Sequence, residues 1–368
     1  MVTMTTESHT FKANPITEEQ DVPDHVPGMT SSIGALWPPQ KTSFNRIKGF
    51  YTPSVIATAS QFEKFFQNFL DICARASSHP HETSRVSIRA IVARHVLAER
   101  HPLLERSLEA IFDLDGSPQF AGNALIYFGC NHASRSSLVD ELAQYRKNLV
   151  SALRVFPHPP VRLVQRAFDQ GYTLQIIKYG ATSPEQRAQT LHQMADLYTR
   201  FGWKTPDVED ILKNPNNIIA VAETGGSIVS AGIAEMAKVQ IGNRSLHMAE
   251  ITEAATREEH ACQGLYTAVS TFLIQEIATR SQRNEFLNDE VDLVYGECNG
   301  NALGVLKTSA IQGRTFATET TARYGFPHRG ILHQHVPISG APRITPYNDL
   351  FPTYLTRASV YRYTPCTT

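Results

Sequence analysis

Residues 246–280, LHMAEITEAATREEHACQGLYTAVSTFLIQEIATR, carry the residue types and spacing best suited to chemistry. Alternation over 246–255 predicts a strand, a polar run follows, and Gly264 closes the turn. Leu265, Val269, Phe272, Leu273 and Ile277 then recur at helical spacing, so one helix face is buried. The first N–H groups of a helix lack internal partners, and the macrodipole adds partial positive charge there. A strand that feeds a glycine turn and then a helix is therefore an anion site, with a pyrophosphate as its natural guest. An ordinary β-turn-α connection is the bland alternative. Cys262 lies near that helix start with His260 close by, a thiolate-stabilising position, although a spacer in the loop explains it as well. His328, His333 and His335 cluster in PHRGILHQH. No Cys or Asp partner stands nearby, so a surface or substrate-pocket role is expected rather than a metal. Asp113-Leu114-Asp115-Gly116 opens like a calcium loop, but Ala124 stands where the twelfth-position Glu is needed, which leaves a turn.

The elements that must position these residues follow from periodicity. Residues 1–45 are rich in Thr, Ser, Pro and Glu and are expected to form a mobile arm. Residues 46–165 are expected to form a helix-rich domain. Phe62, Phe65, Phe66, Phe69, Ile72 and Cys73 line one helix face. A second helix is expected over 86–99 and a third from Pro102, with Leu103, Leu104, Leu108, Ile111 and Phe112 inward. Residues 124–130, ALIYFGC, fit a buried strand, and Ser137 is placed to cap a long helix. His158-Pro159-Pro160 marks a domain junction. The second domain, 166–340, alternates. A strand over 172–179 precedes a helix started by Ser183-Pro184-Glu185 and a short helix near 208–213. Strands at 218–223, 228–239 and 246–255 follow in hairpin succession, turned at Gly225-Gly226 and Asn243. Then come the helix from Gly264, a strand at 291–297, a helix over 301–311 and a strand at 315–323. Residues 341–368 hold Pro342, Pro346 and Pro352 and are expected to be an irregular tail.

This order of elements, with a phosphate-type turn after the fourth strand, resembles the GNAT N-acetyltransferase superfamily, and within it a β-lysine N-acetyltransferase-like branch. The resemblance covers about residues 170–340. It is carried by Ala249-Glu250-Ile251-Thr252-Glu253, by Thr256, and by Gly264-Leu265. Asn301, Tyr324-Gly325-Phe326 and Ile338-Ser339-Gly340 add to it. The loop departs from the family pattern. Ala261 stands where Arg or Gln is usual, Cys262 replaces a common glycine, and Tyr266 replaces a small residue that would leave room for the pyrophosphate.

The resemblance implies an α+β or α/β fold: a mixed central sheet flanked by helices, preceded by the helix-rich domain. It implies acetyl-CoA or another acyl-CoA as co-substrate, held by Thr252, Ala254, Thr256, Ala261, Cys262, Gly264, Leu265 and Asn301. Acyl transfer to an amine needs a neutral amine, a polarised thioester carbonyl and close approach. Glu250 is the first choice for general base and Glu253 the second. Their odd spacing puts them on opposite faces of a regular strand, which a bulge would change. The oxyanion donor would be a backbone N–H in 251–256. No Tyr lies in 301–311 to protonate the leaving thiolate, so Ser309 is the candidate there, with Tyr295 and Tyr324 outside it.

Composition narrows the partners. The chain has 368 residues, long for one domain and enough for two. With 42% hydrophobic residues it can bury a large core. A net charge of −1 with no long basic run argues against nucleic-acid binding. No apolar run reaches the roughly 20 residues that span a bilayer. Five scattered cysteines without a CxxC pair suggest reduced thiols in the cytoplasm. The expected product is an N-acyltransferase for a small amine, with the first domain shaping the acceptor pocket or a homodimer contact. A binding or scaffold protein that keeps the fold without activity is one alternative. Acylation from an acyl carrier protein or a long-chain donor is the other.

Overall fold

The structure, a computed structural model, describes residues 40–41, 46–77, 85–99, 102–131, 139–199, 205–283, 290–299, 302–337 and 347–364. The arm expected over the first residues falls outside these for nearly its whole length, as do Ser137 and Asn301.

The first half is built on a five-stranded sheet. Its strands are β1 (Gln40–Lys41), β2 (Arg46–Phe50), β3 (Arg85–Ala93), β4 (Leu108–Asp113) and β5 (Asn123–Asn131), ordered β1-β2-β3-β5-β4. Helices α1 (Ala59–Ser77), α2 (Arg94–Ala98) and α3 (Pro102–Ser107) interleave with them. The phenylalanine stripe of α1 is buried as its spacing predicts, and Phe65 meets Phe128 of β5 at 4.9 Å between ring centroids. The helix expected over 86–99 is instead a strand followed by one short helix. All nine residues of β3 are buried, on both faces of the sheet. A central strand reads as a continuous apolar run, and Val86, Ile88, Ile91 and Val92 favour the extended backbone. Residues 103–112 split in the same way. Pro102 does start a helix, but Leu108, Ile111 and Phe112 belong to β4. The helix-rich description of this half is therefore incomplete.

Helices α4 (Val139–Leu153) and α5 (Pro160–Asp169) lead into the second sheet. Its elements run β6 (Thr173–Ile176), α6 (Pro184–Thr199), α7 (Thr205–Lys213), β7 (Asn217–Thr224), β8 (Ser227–Ile241), β9 (Arg244–Thr256), α8 (Leu265–Gln282), β10 (Leu293–Asn299) and α9 (Leu303–Ile311). That is the predicted order. The chain continues through β11 (Thr315–Phe316), α10 (Ala317–Arg323), β12 (Leu332–Pro337), β13 (Tyr347–Thr356) and α11 (Arg357–Val360). The strand expected over 315–323 is two residues of β11 and then helix α10. The stretch expected to be an irregular tail supplies β13, which lies between β10 and β11 in the order β11-β13-β10-β9-β8-β7-β6.

The local chemistry explains these turns and starts. Gly225 and Gly226 have φ of 56° and 76°, which the two-residue hairpin between β7 and β8 requires. At α6 the Ser183 N–H donates to Gln186 Oε1 at 3.1 Å while the Gln186 N–H donates to Ser183 Oγ at 3.3 Å. This reciprocal cap satisfies two N-terminal donors. Ser183→Ala is expected to cost about 1 kcal/mol of stability, read from urea denaturation.

Helix α8 covers one face of the second sheet, packing on Ala249 and Ile251 of β9. The opposite face carries α6 and α7 at one end and the first sheet at the other. There Phe112 and Tyr127 meet Met248, Tyr295 and Tyr354, and the Phe112 and Tyr354 rings stack at 4.9 Å. This contact carries residues of β3 to the centre of the second sheet. No helix among the described residues is long and apolar enough to cross a membrane.

Candidate active site

Strands β9 and β10 are parallel neighbours, yet they pair only at Leu293↔Met248, Val294↔Ala249 and Tyr295↔Glu250. Both continue, β9 to Thr256 and β10 to Asn299. Among the described residues no strand pairs with β9 on that side after Glu250. On its other side β9 departs from β8: Thr252 is opposite Ile233 and Ala255 opposite Ala231, so Glu253 and Ala254 together face Gly232. Such a bulge bends its strand and increases the local twist. It sits where the ladder to β10 ends. The last close approach is at Gly296, where a Cβ would lie 3.0 Å from the Ile251 carbonyl oxygen. Above this point the sheet has a seam.

Glu250 stands at the foot of the seam, on the face away from α8. Its Oε2 accepts the Tyr295 hydroxyl at 2.6 Å. Tyr295 in turn accepts Arg89 Nη1 at 2.9 Å, and Arg89 Nη2 reaches Glu297 Oε1 at 3.5 Å. The Arg89 guanidinium lies 4.6 Å from the Tyr127 ring centroid, a cation–π contact that fixes it. Burial pushes the Glu250 carboxyl above its ordinary range and the Glu297 charge pushes it further. Lys48, Arg89 and the Tyr295 hydrogen bond oppose both. A raised carboxylate is a stronger base, which suits proton removal from an amine near neutral pH. Burial also holds the Tyr295 hydroxyl protonated well beyond the usual phenol range. A pocket opens beside Glu250, lined by Asn214, Asn216, Asn217, Glu235, Met236, Ala237, Met248 and Tyr295. Glu235 pairs directly across from Glu250. The buried Asn217 Oδ1 has no hydrogen-bond partner among the described residues. Two carboxylates, Glu235 and Glu250, line the pocket, and among the described residues no Lys, Arg or His does, as suits a cation.

On the α8 side the turn is shaped for an anion. The chain leaves β9 through a short 3-10 turn, and then Cys262 and Gly264 both take left-handed φ, 62° and 80°. Gly264 is the N-cap of α8, and no side chain caps the helix. Its first-turn N–H groups therefore point out of the helix with no side-chain acceptor from the cap. A Cβ on Gly264 would lie 4.0 Å from the guanidinium carbon of Arg166, an exposed residue of α5. A mobile cation beside a helix N-terminus strengthens an anion site.

The other expected residues divide. Thr252, Ala254 and Thr256 follow the foot of the seam along β9; Thr256 Oγ1 bonds Ser230 Oγ at 2.8 Å. Ala261 closes the 3-10 turn, Cys262 is exposed, and Leu265 is buried in the core under α8. His260 Nδ1 bonds the hydroxyl of Tyr172, the residue before β6, at 2.9 Å, which holds the ring there rather than at Cys262. The Glu253 position is in the bulge; its side chain lies outside the described residues, as do those of His333 and His335 in β12. Ser309 is buried on the α9 side, bonded to Cys298 Sγ at 3.2 Å, on the opposite face of the sheet from Glu250. Tyr324 donates to Asp113 at 2.7 Å, away from Glu250. Tyr266 packs against the buried cluster that contains Cys298 and Leu306. Arg89 and Glu297 were not foreseen. The available signal was Arg85 and Arg89 at strand spacing inside an otherwise apolar run.

No protein-family model matches the chain, and no curated protein sequence does. Among solved structures the chain is similar to several acetyltransferases over about half its length. The Escherichia coli ribosomal-protein-S18-alanine N-acetyltransferase is 14% identical with a TM-score of 0.35, covering 50% of this chain and 94% of that one. Arabidopsis thaliana NAA60 in complex with acetyl-CoA is 10% identical with a TM-score of 0.36, covering 50% and 98%. An aminoglycoside 6'-acetyltransferase type Ii is 13% identical with a TM-score of 0.32, covering 50% and 96%.

Proposed function

We propose that the protein is an N-acyltransferase that moves an acyl group from a CoA thioester to the amine of a small molecule. The carrying observation is the seam between β9 and β10, with the uncapped start of α8 on one face and Glu250 on the other. The CoA diphosphate would lie at the first turn of α8, beside Arg166. The pantetheine arm would enter the seam and pair with the open edge of β9, bringing the thioester to Glu250. The amine would wait in the pocket of Glu235, Glu250 and Asn217. The resemblance to a β-lysine N-acetyltransferase-like branch favours an amino acid or a related biosynthetic amine.

The chemistry is direct transfer. Glu250 takes a proton from the ammonium, the neutral nitrogen attacks the carbonyl, the C–N bond forms and the C–S bond breaks. The thiolate leaves as a thiol. Tyr266, in the first turn of α8 and kept protonated by burial, is the candidate donor of that proton. Glu250 returns the ammonium's first proton to solvent, and the second proton, which the nitrogen loses as the amide forms, restores the Tyr266 phenol through solvent, so one proton is released per transfer. Titration calorimetry with acetyl-CoA tests the reading: saturable binding is expected, and no heat with any acyl-CoA overturns it. Arg166→Ala is expected to weaken CoA roughly tenfold while leaving the melting temperature unchanged.

A further inference from the structure

A buried cation at the end of α9 takes no part in the chemistry above. Arg314 is 5% exposed, and its Nε and Nη2 have no hydrogen-bond partner among the described residues. Its backbone is fixed by the end of α9. The Gly313 N–H bonds Ala310 O and the Arg314 N–H bonds Ser309 O at 3.0 Å, the paired bonds of a Schellman cap, with Gly313 at φ 69°. From there the side chain runs beneath the sheet to β10. Its Nη1 lies 3.0 Å from where a Cβ of Gly296 would stand, and Ile251 O is equally close to that point. This is the vertex of the seam. Tyr266 and Cys298 are near enough for the guanidinium charge to act on them, and neither carries a charge of its own while protonated. No carboxylate among the described residues forms an ion pair with it.

We infer that Arg314 binds a carboxylate at the far end of the acyl group, so that the donor is a dicarboxylic acyl-CoA such as a malonyl, succinyl or glutaryl thioester. The inference rests on the acyltransferase reading and narrows its donor. A permanent buried charge calls for a permanent counter-charge, because an unpaired ion in the interior is strongly disfavoured. An acetyl group and a pantetheine arm are neutral. The thioester oxygen becomes negative only during reaction. Side chains on the acceptor face are excluded by position, since Gly296 shares its face with Val294 and Cys298, while Tyr295 and Glu250 face the pocket. A buried guanidinium whose Nε and Nη2 both lack a partner among the described residues offers the two parallel donors that a carboxylate accepts. The transfer balances as before: the thioester C–S bond breaks, the amide C–N bond forms, and the distal carboxylate stays on the product.

The test compares succinyl-CoA with butyryl-CoA, equal in chain length and different in charge, with free CoA as the control. Wild type is expected to favour succinyl-CoA roughly 100-fold in kcat/KM or in affinity. Arg314→Met should bring the two donors to within about threefold, and Arg314→Lys should keep part of the preference. Equal use of both donors by wild type, with free CoA still bound, overturns this inference alone. If wild type binds no CoA at all, the acyltransferase reading itself falls. Should Arg314→Met fail to fold, the wild-type comparison and Arg314→Lys still decide the matter.

Discussion

Glu250→Gln is expected to lower kcat by roughly 10²–10⁴-fold while the affinity for CoA stays within about twofold, because the substitution removes a proton acceptor and leaves the shape of the pocket. The amide can still accept the Tyr295 hydroxyl, so the chain of Tyr295, Arg89 and Glu297 keeps its geometry. The pH profile carries the sharper test. Glu250 must be ionised to act, so activity rises with pH through its raised pKa, and the acid limb lies above the ordinary glutamate range. Glu297 contributes to that rise by charge repulsion. Glu297→Gln removes a negative charge, makes Glu250 easier to ionise, and should move the acid limb to lower pH. A profile that stays in place in Glu297→Gln, or full activity in Glu250→Gln, would remove Glu250 from the mechanism and leave the Glu253 position as the next candidate.

The second large effect concerns Gly264. Gly264→Glu is expected to weaken CoA roughly 100-fold or more, measured by calorimetry. Two causes act together. The new carboxylate would sit at the uncapped start of α8, within reach of Arg166, and would occupy the anion site from within. The φ of 80° also strains any residue with a Cβ. Gly264→Ala separates the two, since it carries the strain without the charge. If both variants lose CoA equally, backbone geometry dominates; if neither does, the diphosphate is held elsewhere. Circular dichroism melts of both variants check that the fold survives.

Much of the second sheet was legible in the sequence because its signals are local. Gly225-Gly226, Ser183-Pro184-Glu185, and the stripe from Leu265 to Ile277 each specify their element over a few residues. The first half hid its sheet. β3 is buried on both faces, so it has no alternation, and its arginines at 85 and 89 imitate the polar face of a helix. The two charges are tolerated because Arg85 meets Glu109 and Arg89 meets Tyr295 and Glu297, partners 24 and more than 200 residues away. No window along the chain contains such a pair. The glycine turn before α8 and Glu250 are legible as candidates because one strand and one helix carry them. Tyr295 is only an outside option in the sequence, and no local signal marks the roles proposed for Arg89 and Arg314. Their roles depend on how two sheets stack and on what fails to pair with a buried guanidinium.

The place of β13 has a consequence for how the molecule is made. Strand β10 leaves one edge open above Glu250, and its other edge is covered along its full length by residues 350–356. During synthesis that covering strand emerges some fifty residues after β10 itself. Until then the margin of β10 away from β9 is bare, an invitation to adhesion between nascent chains. Assembly of the second sheet therefore finishes late, and a ribosome that stalls before residue 347 would release a sticky, half-closed product.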